Sequence, residues 1–354
     1  MALRKIAVLG LGKVGTLAAK LLDREGFDVT GVDTRTPHEP LGFAVRAVDL
    51  ATDVGVGTAL DGFDGVLSAL PYRLNARIAA AAHARGMHYF DLTEDVPTTK
   101  AIIDLSKTSL GLMAPQCGLA PGFVGIVGAA QVAAFANCRS LRLRVGALPQ
   151  NPTGLMGYAF NWSPEGVVNE YLNDCEVIED GVRKTVSSME WIETVYVDGV
   201  ALEAFTTSGG LGTICETFHG KVTNVDYKSM RYPGHMRLMN FFFHELLMRE
   251  RRELAGQILT NAKPPVNNDV VYIHVSSEGQ LDGRLQRREF VRAYRPIQLA
   301  GAMQTAIAWT TSASVVAVIE MVRDGMLPQR GFLKQEEIPL DRFLTTPTGR
   351  LFDA

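Results

Sequence analysis

The stretch Lys5–Leu9 is a short apolar run that ends on Gly10-Leu11-Gly12-Lys13-Val14-Gly15 and passes directly into an amphipathic segment from Gly15 to Arg24, closed near Gly26. Few folds accept glycines at this spacing between a buried strand and a helix. The first permits a tight turn, the second lets a ligand approach the backbone, and the third lets helix and strand pack closely. The pattern therefore predicts the opening βαβ unit of a doubly wound sheet, with the helix N-terminus turned toward an anion. Phe27–Val32 reads as the next strand, and Asp33 follows it, 18 residues after Gly15. An acid there suits the two hydroxyls of an adenosine ribose and repels a 2′-phosphate, so NAD is expected over NADP. Arg35 lies two residues further on, where it is able to meet such a phosphate. The cofactor set expected from this end of the chain is Gly10, Gly12, Lys13, Val14, Gly15, Asp33 and Arg35.

The alternation continues. Phe43–Val48 is expected as a third strand, with Asp49 at the edge of an adenine pocket. Gly65–Leu70 is a fourth, ending in Ser68-Ala69-Leu70-Pro71-Tyr72; Ser68, Leu70 and Pro71 fall where a nicotinamide ribose would lie in such a sheet. The Ala-rich Leu74–Arg85 is a helix stopped by Gly86, His88–Leu92 a fifth strand and Gly111–Pro115 a sixth. Strands and helices at this spacing mean parallel pairing with helices on both faces.

After Pro121-Gly122 the periodicity changes. An apolar helix over Val124–Phe135 is followed by Leu141–Leu148, where Leu and Val alternate with Arg142 and Arg144. Such a strand has one polar face. Val195–Val200, Lys221–Asp226 and Val270–Ser276 read similarly, and an apolar helix is expected at 237–248. The chain is thus divided into a dinucleotide domain, 1–121, an α+β substrate and oligomerisation domain, 122–300, and a segment, 301–354, whose helix Met303–Arg323 returns to the first domain. The fold class is α/β, a Rossmann-type doubly wound parallel sheet with an inserted α+β domain.

Composition sets the outer bounds. With 354 residues, 47% hydrophobic and 21% charged, the chain has the material for large cores without cross-links. A net charge of -3 and a pI near 6.2 give no field for nucleic acid or an anionic membrane. Cys117, Cys138, Cys175 and Cys215 are too scattered for a disulfide framework or a zinc ribbon, and the histidines fit no metal-ligand spacing. The N-terminus runs into a strand without a cleavage site, and Thr305–Val318 reads as too short and too polar to span a bilayer. A cytoplasmic enzyme with reduced thiols, assembled as a homo-oligomer and most simply a dimer, is the expectation.

A nicotinamide enzyme needs positioning and one group to handle a proton. Asp91-Leu92-Thr93-Glu94-Asp95 puts three carboxylates after strand five; they serve as helix caps or as proton acceptors. Cys117 to Gly122 follows strand six, with Cys117 as a wall residue rather than a nucleophile, since no base is adjacent. In the second domain Arg231-Tyr232-Pro233-Gly234-His235 offers Arg231 for a substrate carboxylate and Tyr232 or His235 for proton relay. Asn161-Trp162-Ser163-Pro164-Glu165-Gly166 is a helix start, with Ser163 as cap and Glu165 as a candidate to hold an ammonium. Thr206 to Gly212 is glycine-rich but has no Gly-Lys-Ser/Thr, so it is no P-loop.

Taken in order, GLGKVG, SALPY, YFDLTED, PQCGLAPG, FNWSPEGVVNEYL and MRYPGH resemble the saccharopine dehydrogenase family over nearly the whole chain, and within it the lysine 6-dehydrogenases most. The resemblance implies a Rossmann domain with an inserted substrate domain, and oxidation or reduction at a carbon that bears an amine. It implies site roles for Ser68, Asp91, Thr93 and Cys117. Saccharopine-forming members carry SWSPRG where this chain has NWSPEG, so Glu165 replaces a cation. That exchange favours dicationic lysine over tricarboxylate saccharopine. The expected reaction is NAD-dependent oxidation of lysine at its ε-carbon, giving the 6-semialdehyde, ammonia and NADH. Asp95, Glu94, His235 or Tyr232 would handle the proton, with Arg231 on the α-carboxylate and Glu165 on the α-ammonium. The rivals are a saccharopine or carboxylated-polyamine dehydrogenase, a diamine dehydrogenase, and a non-catalytic NAD sensor.

Overall fold

A computed structural model describes residues 3–37 and 40–353. The chain divides into two compact units, one formed by 1–126 with 308–354 and the other by 127–307. The boundaries fall inside two helices, a few residues after the expected positions 121 and 300.

The first unit is built as the glycine pattern requires. β1 (Lys5–Leu9), β2 (Asp28–Asp33), β3 (Ala44–Ala47), β4 (Gly65–Ser68), β5 (His88–Asp91) and β6 (Leu112–Ala114) alternate with α1 (Lys13–Arg24), α2 (Asp53–Leu60), α3 (Tyr72–Ala84) and α4 (Val96–Ser106). All pairs are parallel, in the order β6-β5-β4-β1-β2-β3, and a two-residue strand, Gly331–Phe332, adds outside β6. The order reverses between β1 and β4, which is where ligands bind in sheets of this kind. Strands β1, β4 and β5 are buried almost throughout because helices cover both faces.

In the second unit α5 (Phe123–Ala133) leads into β7 (Asn137–Pro149), followed by α6 (Pro164–Leu172), β8 (Cys175–Glu179), β9 (Val182–Val186), β10 (Glu193–Val197), β11 (Val200–Thr206), α7 (Ile214–Phe218), β12 (Asn224–Arg231), α8 (His235–Asn240), α9 (Arg252–Ala262), β13 (Asp269–Leu281) and β14 (Arg284–Tyr294). They form a mixed sheet in the order β10-β11-β12-β7-β13-β14, with the β8–β9 hairpin attached to β12. The sheet curls until its two edge strands, β10 and β14, approach each other.

Three sequence expectations change here. Val195–Val200 is not one strand. It is the middle of the β10–β11 hairpin, which turns at Asp198-Gly199 with positive φ at both residues, the geometry a two-residue hairpin demands. The helix expected at 237–248 ends as an α-helix at Asn240, continues as a π-helical turn to Glu245, and is broken by Leu247 in the left-handed region. The long C-terminal helix α10 (Ala306–Arg323) begins three residues after Met303, because Asp269 on β13 caps it: its carboxylate accepts from the Ala306 and Ile307 amides at 2.6 and 3.0 Å.

By length and composition α10 is able to cross a membrane, contrary to the sequence reading, yet 83% of it is buried inside the fold. From residue 308 on it packs in the first unit, where Ser312 donates to the Val14 carbonyl at 2.9 Å and Arg323 to the Glu25 carbonyl at 2.7 Å. The segment that follows closes over it. Phe352 stacks on Phe123 at 3.9 Å between ring centroids and packs against Trp309 at 5.5 Å. Beneath this segment lies Glu320, fully buried, with one carboxylate oxygen receiving the Thr348 amide at 3.4 Å and the other without a partner.

Burial pushes the Glu320 carboxyl up to about 7. A carboxyl raised in the folded state stabilises below its unfolded value and loses that contribution as pH rises through the folded one. Glu320→Gln is therefore expected to unfold like the parent at pH 4 and to be more stable by about 3 kcal/mol at pH 8. Denaturant titrations at the two pH values check this; an equal difference at both would refute the assignment.

Candidate functional site

The turn after β1 separates three glycines by the job each does. Gly10 has φ +89°, and a Cβ there would lie 2.8 Å from the Ala69 carbonyl oxygen at the end of β4. A Cβ on Gly15 would lie 1.9 Å from the Gly10 carbonyl oxygen. Both are demanded by the chain's own packing. Gly12 is not: its φ of -70° suits any residue, and a Cβ would meet nothing within 4 Å. What the chain keeps open at Gly12 is room for something else. The amides that start α1 receive no side-chain cap, and the first turn holds no acid. An unpaired, anion-free helix start beside an open backbone fits a dinucleotide's pyrophosphate.

Asp33, half-buried at the end of β2, accepts from the Leu11 amide at 2.7 Å and from the Thr34 amide at 2.7 Å, so the acid is tied to the glycine turn itself. Lys13 and Arg35 are exposed, and Val14 is half-buried. Asp49 is exposed and accepts from the Ala51 amide at 2.9 Å, which makes it part of the turn into α2. Ser68 is buried and donates to Asn75 on α3 at 2.7 Å; Leu70 stands beside Gly10, and Pro71 caps α3.

At the ends of β5 and β6, Asp91 is buried and accepts from Tyr89 Oη at 2.7 Å and from the Thr93 and Gln116 amides at 3.0 and 2.9 Å. Its carbonyl receives the Cys117 amide at 2.9 Å. One residue thus holds both loops. Burial pushes its carboxyl up to about 6, against the opposing pull of those donors. Cys117 is fully buried, donates to the Ala114 carbonyl at 3.1 Å, and receives Gln335 Nε2 at 3.3 Å. Burial and the neighbouring Asp91 push the thiol far above its ordinary range, so it stays protonated.

Asp95 takes the capping one of its two expected roles. Its carboxylate receives the Thr98 amide at 2.9 Å and the Thr98 hydroxyl at 2.6 Å, and it is the N-cap of α4. Thr93 is buried, and its hydroxyl accepts the Asp95 amide at 3.1 Å. Glu94, between them, is half-buried.

In the second unit Arg231 ends β12 inside an aromatic core. Its Nε donates to Tyr171 Oη at 2.7 Å and its Nη1 to the Met230 carbonyl at 2.9 Å, while Nη2 lies 3.6 Å from the buried Glu170 carboxylate. The guanidinium sits 4.9 Å from the Tyr158 ring centroid. A cation so engaged, and only 3% exposed, is a core residue, which corrects its expected role on a substrate carboxylate. His235 is also buried, with Nε2 on Tyr171 Oη and Nδ1 on the Met156 carbonyl, both at 3.0 Å. Burial and Arg231 push it down to about 3. Its imidazole is neutral and both nitrogens are occupied, so it takes up no proton near pH 7. Tyr232 donates to the Pro149 carbonyl at 2.9 Å and is pushed up to about 12 by burial, which fixes it as an anchor. Glu165 stands exposed in the first turn of α6, after Ser163, whose hydroxyl accepts the Gly166 amide at 3.0 Å. In the glycine-rich stretch, Gly210 makes room for the Tyr227 ring, which a Cβ would approach to 2.4 Å.

Sequence reading missed Tyr89, Gln116 and Gln335. The first two lie in motifs already singled out, but nothing local marks Gln335, which reaches Cys117 from 218 residues away.

Two family models match the chain: the saccharopine dehydrogenase NADP binding domain over residues 6–111 and the saccharopine dehydrogenase C-terminal domain over 118–349. Saccharopine dehydrogenase [NADP(+), L-glutamate-forming] of Pyricularia oryzae is 24% identical over 206 residues, 55% of this chain and 46% of that protein. The chain therefore matches about half the length of this curated relative. Among solved structures, saccharopine dehydrogenase (L-Glu forming) from Saccharomyces cerevisiae superposes with a TM-score of 0.76 at 17% identity over 96% of both chains. An engineered D-amino acid dehydrogenase bound to NADP+ gives 0.51 at 13% identity over 99% of both. These two likenesses concern the fold. Because the matched domains follow each other over most of the sequence, and the nucleotide turn stands where the first requires it, the chain belongs to the saccharopine dehydrogenase family.

Proposed function

We propose that this protein is a nicotinamide-dependent dehydrogenase that oxidises an amine-bearing carbon of an amino acid, that the ε-carbon of L-lysine is the one oxidised, and that NAD is the preferred nucleotide. The observation that carries the reading is the opening at Gly12, which neither backbone conformation nor packing explains, beside an uncapped helix start and the Asp33 carboxylate. Gly10, Gly12 and the first turn of α1 would hold the pyrophosphate, and Asp33 the adenosine ribose. The nicotinamide supplies a two-electron hydride acceptor. Lysine, NAD+ and water then give the semialdehyde, ammonia, NADH and a proton.

The chain's own contribution is placement. Asp91 fixes the loops after β5 and β6 through the Thr93 and Gln116 amides and does not itself face solvent. With Asp95 capping α4, Glu94 is the carboxylate of that loop assigned to take the proton from the substrate ammonium before hydride leaves. Glu165, exposed on α6, supports the choice of lysine, because an acid there suits a dication and disfavours a tricarboxylate. Arg231 and His235 take no part in this reading. The activity named for the Pyricularia oryzae relative favours a second reading, glutamate-forming oxidation of saccharopine with NADP.

The two separate in one assay. NADH or NADPH formation is followed at 340 nm on L-lysine, L-ornithine, cadaverine and saccharopine with each nucleotide. Lysine turnover with NAD and free ammonia supports the proposal; saccharopine turnover with NADP and free glutamate replaces it. Glu94→Gln is expected to lower kcat by about 10²–10⁴-fold with unchanged nucleotide affinity. An unaltered kcat would remove Glu94 from the mechanism. Gly12→Ala should leave the unfolding free energy within about 0.5 kcal/mol of the parent, since its Cβ meets nothing, and weaken NADH binding tenfold or more. Gly15→Ala, by contrast, should cost stability by more than about 2 kcal/mol.

A further inference from the structure

The inner face of the curled sheet in the second unit changes character along its length. At one end Leu148, Met230, Val197 and Tyr272 belong to a closed apolar core. Alternation along the strands carries the same face to Arg144 and Arg142 on β7, Lys228 and Asp226 on β12, Glu193 on β10, and His274 and Ser276 on β13. This end is not filled. It holds a cavity of about 260 Å³, between β10 on one side and β7, β13 and β14 on the other.

Charges are taken out of water here at a cost. The Arg144 side chain is 2% exposed and pairs with Glu193 and Asp226; Lys228, 6% exposed, lies 3.2 Å from Glu193. Apolar residues of equal volume would hold such a core at least as well, so a buried ion network beside a void is poor evidence of a purely structural purpose. Arg287 enters the cavity from β14, paired with Glu278 at 3.3 Å and Glu289 at 2.7 Å. Arg142 lines it with no carboxylate in ion-pair range among the described residues. Nδ1 of His274 is buried without a hydrogen-bond partner, while Nε2 lies 3.5 Å from Glu289.

Three guanidinium groups and one carboxylate, Glu193, therefore line the space. His274 is held below its ordinary range by burial, with Glu289 pulling against Arg287 and Arg144, and Glu193 is held low against its own desolvation by Arg144 and Lys228.

We infer that this cavity is a binding site for a small organic oxyanion carrying carboxylate or phosphate groups, held by Arg142 and Arg287 with Ser276 and His274 as polar partners. Planar guanidinium forks match such groups bidentately. The residues belong entirely to the second unit, so the inference is independent of the nucleotide turn and of the proposed reaction.

The test uses the intact protein, with citrate and inorganic phosphate as probes at constant ionic strength balanced with sodium chloride, read by calorimetry and thermal shift. At least one probe is expected to bind saturably. Arg142→Ala, on an exposed side chain that leaves the core untouched, should weaken that binding at least tenfold, with NADH affinity unchanged as the control for folding and for the nucleotide site. Arg287→Ala should do the same. Shifts no larger than those from chloride, binding that survives both substitutions, or saturable binding of spermidine in place of the anions would each overturn the assignment. A loss of lysine turnover with intact citrate binding would touch only the proposed reaction.

Discussion

The first unit depends on how closely α1 lies against the end of β1. The Gly10 carbonyl occupies the place where a side chain at position 15 would begin, and the Ala69 carbonyl crowds position 10. That approach sets the angle at which α1 leaves the sheet, and with it the direction of the helix's first amides. Asp33 reinforces the arrangement from the next strand by binding the Leu11 amide, so β1, β2 and α1 share one junction. Everything proposed for the nucleotide follows from this junction and from the single glycine in it, Gly12, that the protein's own atoms do not require.

Buried charge is handled differently at each place where it occurs. Asp91 is surrounded by three donors, Tyr89 on its own strand and one amide from each of two loops, and its charge is tolerable because those donors are directional. Glu320 has one such donor and an orphaned oxygen, so its carboxyl is pushed toward the neutral form. Arg231 is enclosed by two tyrosine rings and Glu170, and burial together with this cation keeps the adjacent His235 neutral. In the curled sheet, by contrast, charges line a space that side chains leave unfilled. The first three arrangements close on themselves; the last does not.

The MRYPGH and DLTED motifs show why polar clusters read from sequence are ambiguous. Arg, Tyr and His together suggest a site, yet β12 ends at Arg231 with its side chain among the rings of Tyr158 and Tyr171, and the turn through Tyr232 to Gly234 places His235 against Tyr171. The partners that neutralise them, Tyr171 and Met156, lie 60 or more residues away in the chain. Asp95 went the other way: its capping role was visible in the local spacing to Pro97 and Thr98, because a cap is satisfied by the next turn of chain.

The sequence alone determined the parallel sheet, the glycine turn with Asp33 behind it and the family, since all of these are written in spacings of a few residues or in motifs kept in order. Strand ends at Asp198-Gly199 and the break at Leu247 depend on backbone conformation that propensities leave open. Only the tertiary structure decided which charged groups are consumed by the fold. It brought Gln335 to Cys117 and curled β10 toward β14 around His274 and Arg142. Burial and long-range partners set the charge state and availability of a side chain, and neither is encoded in its neighbours along the chain.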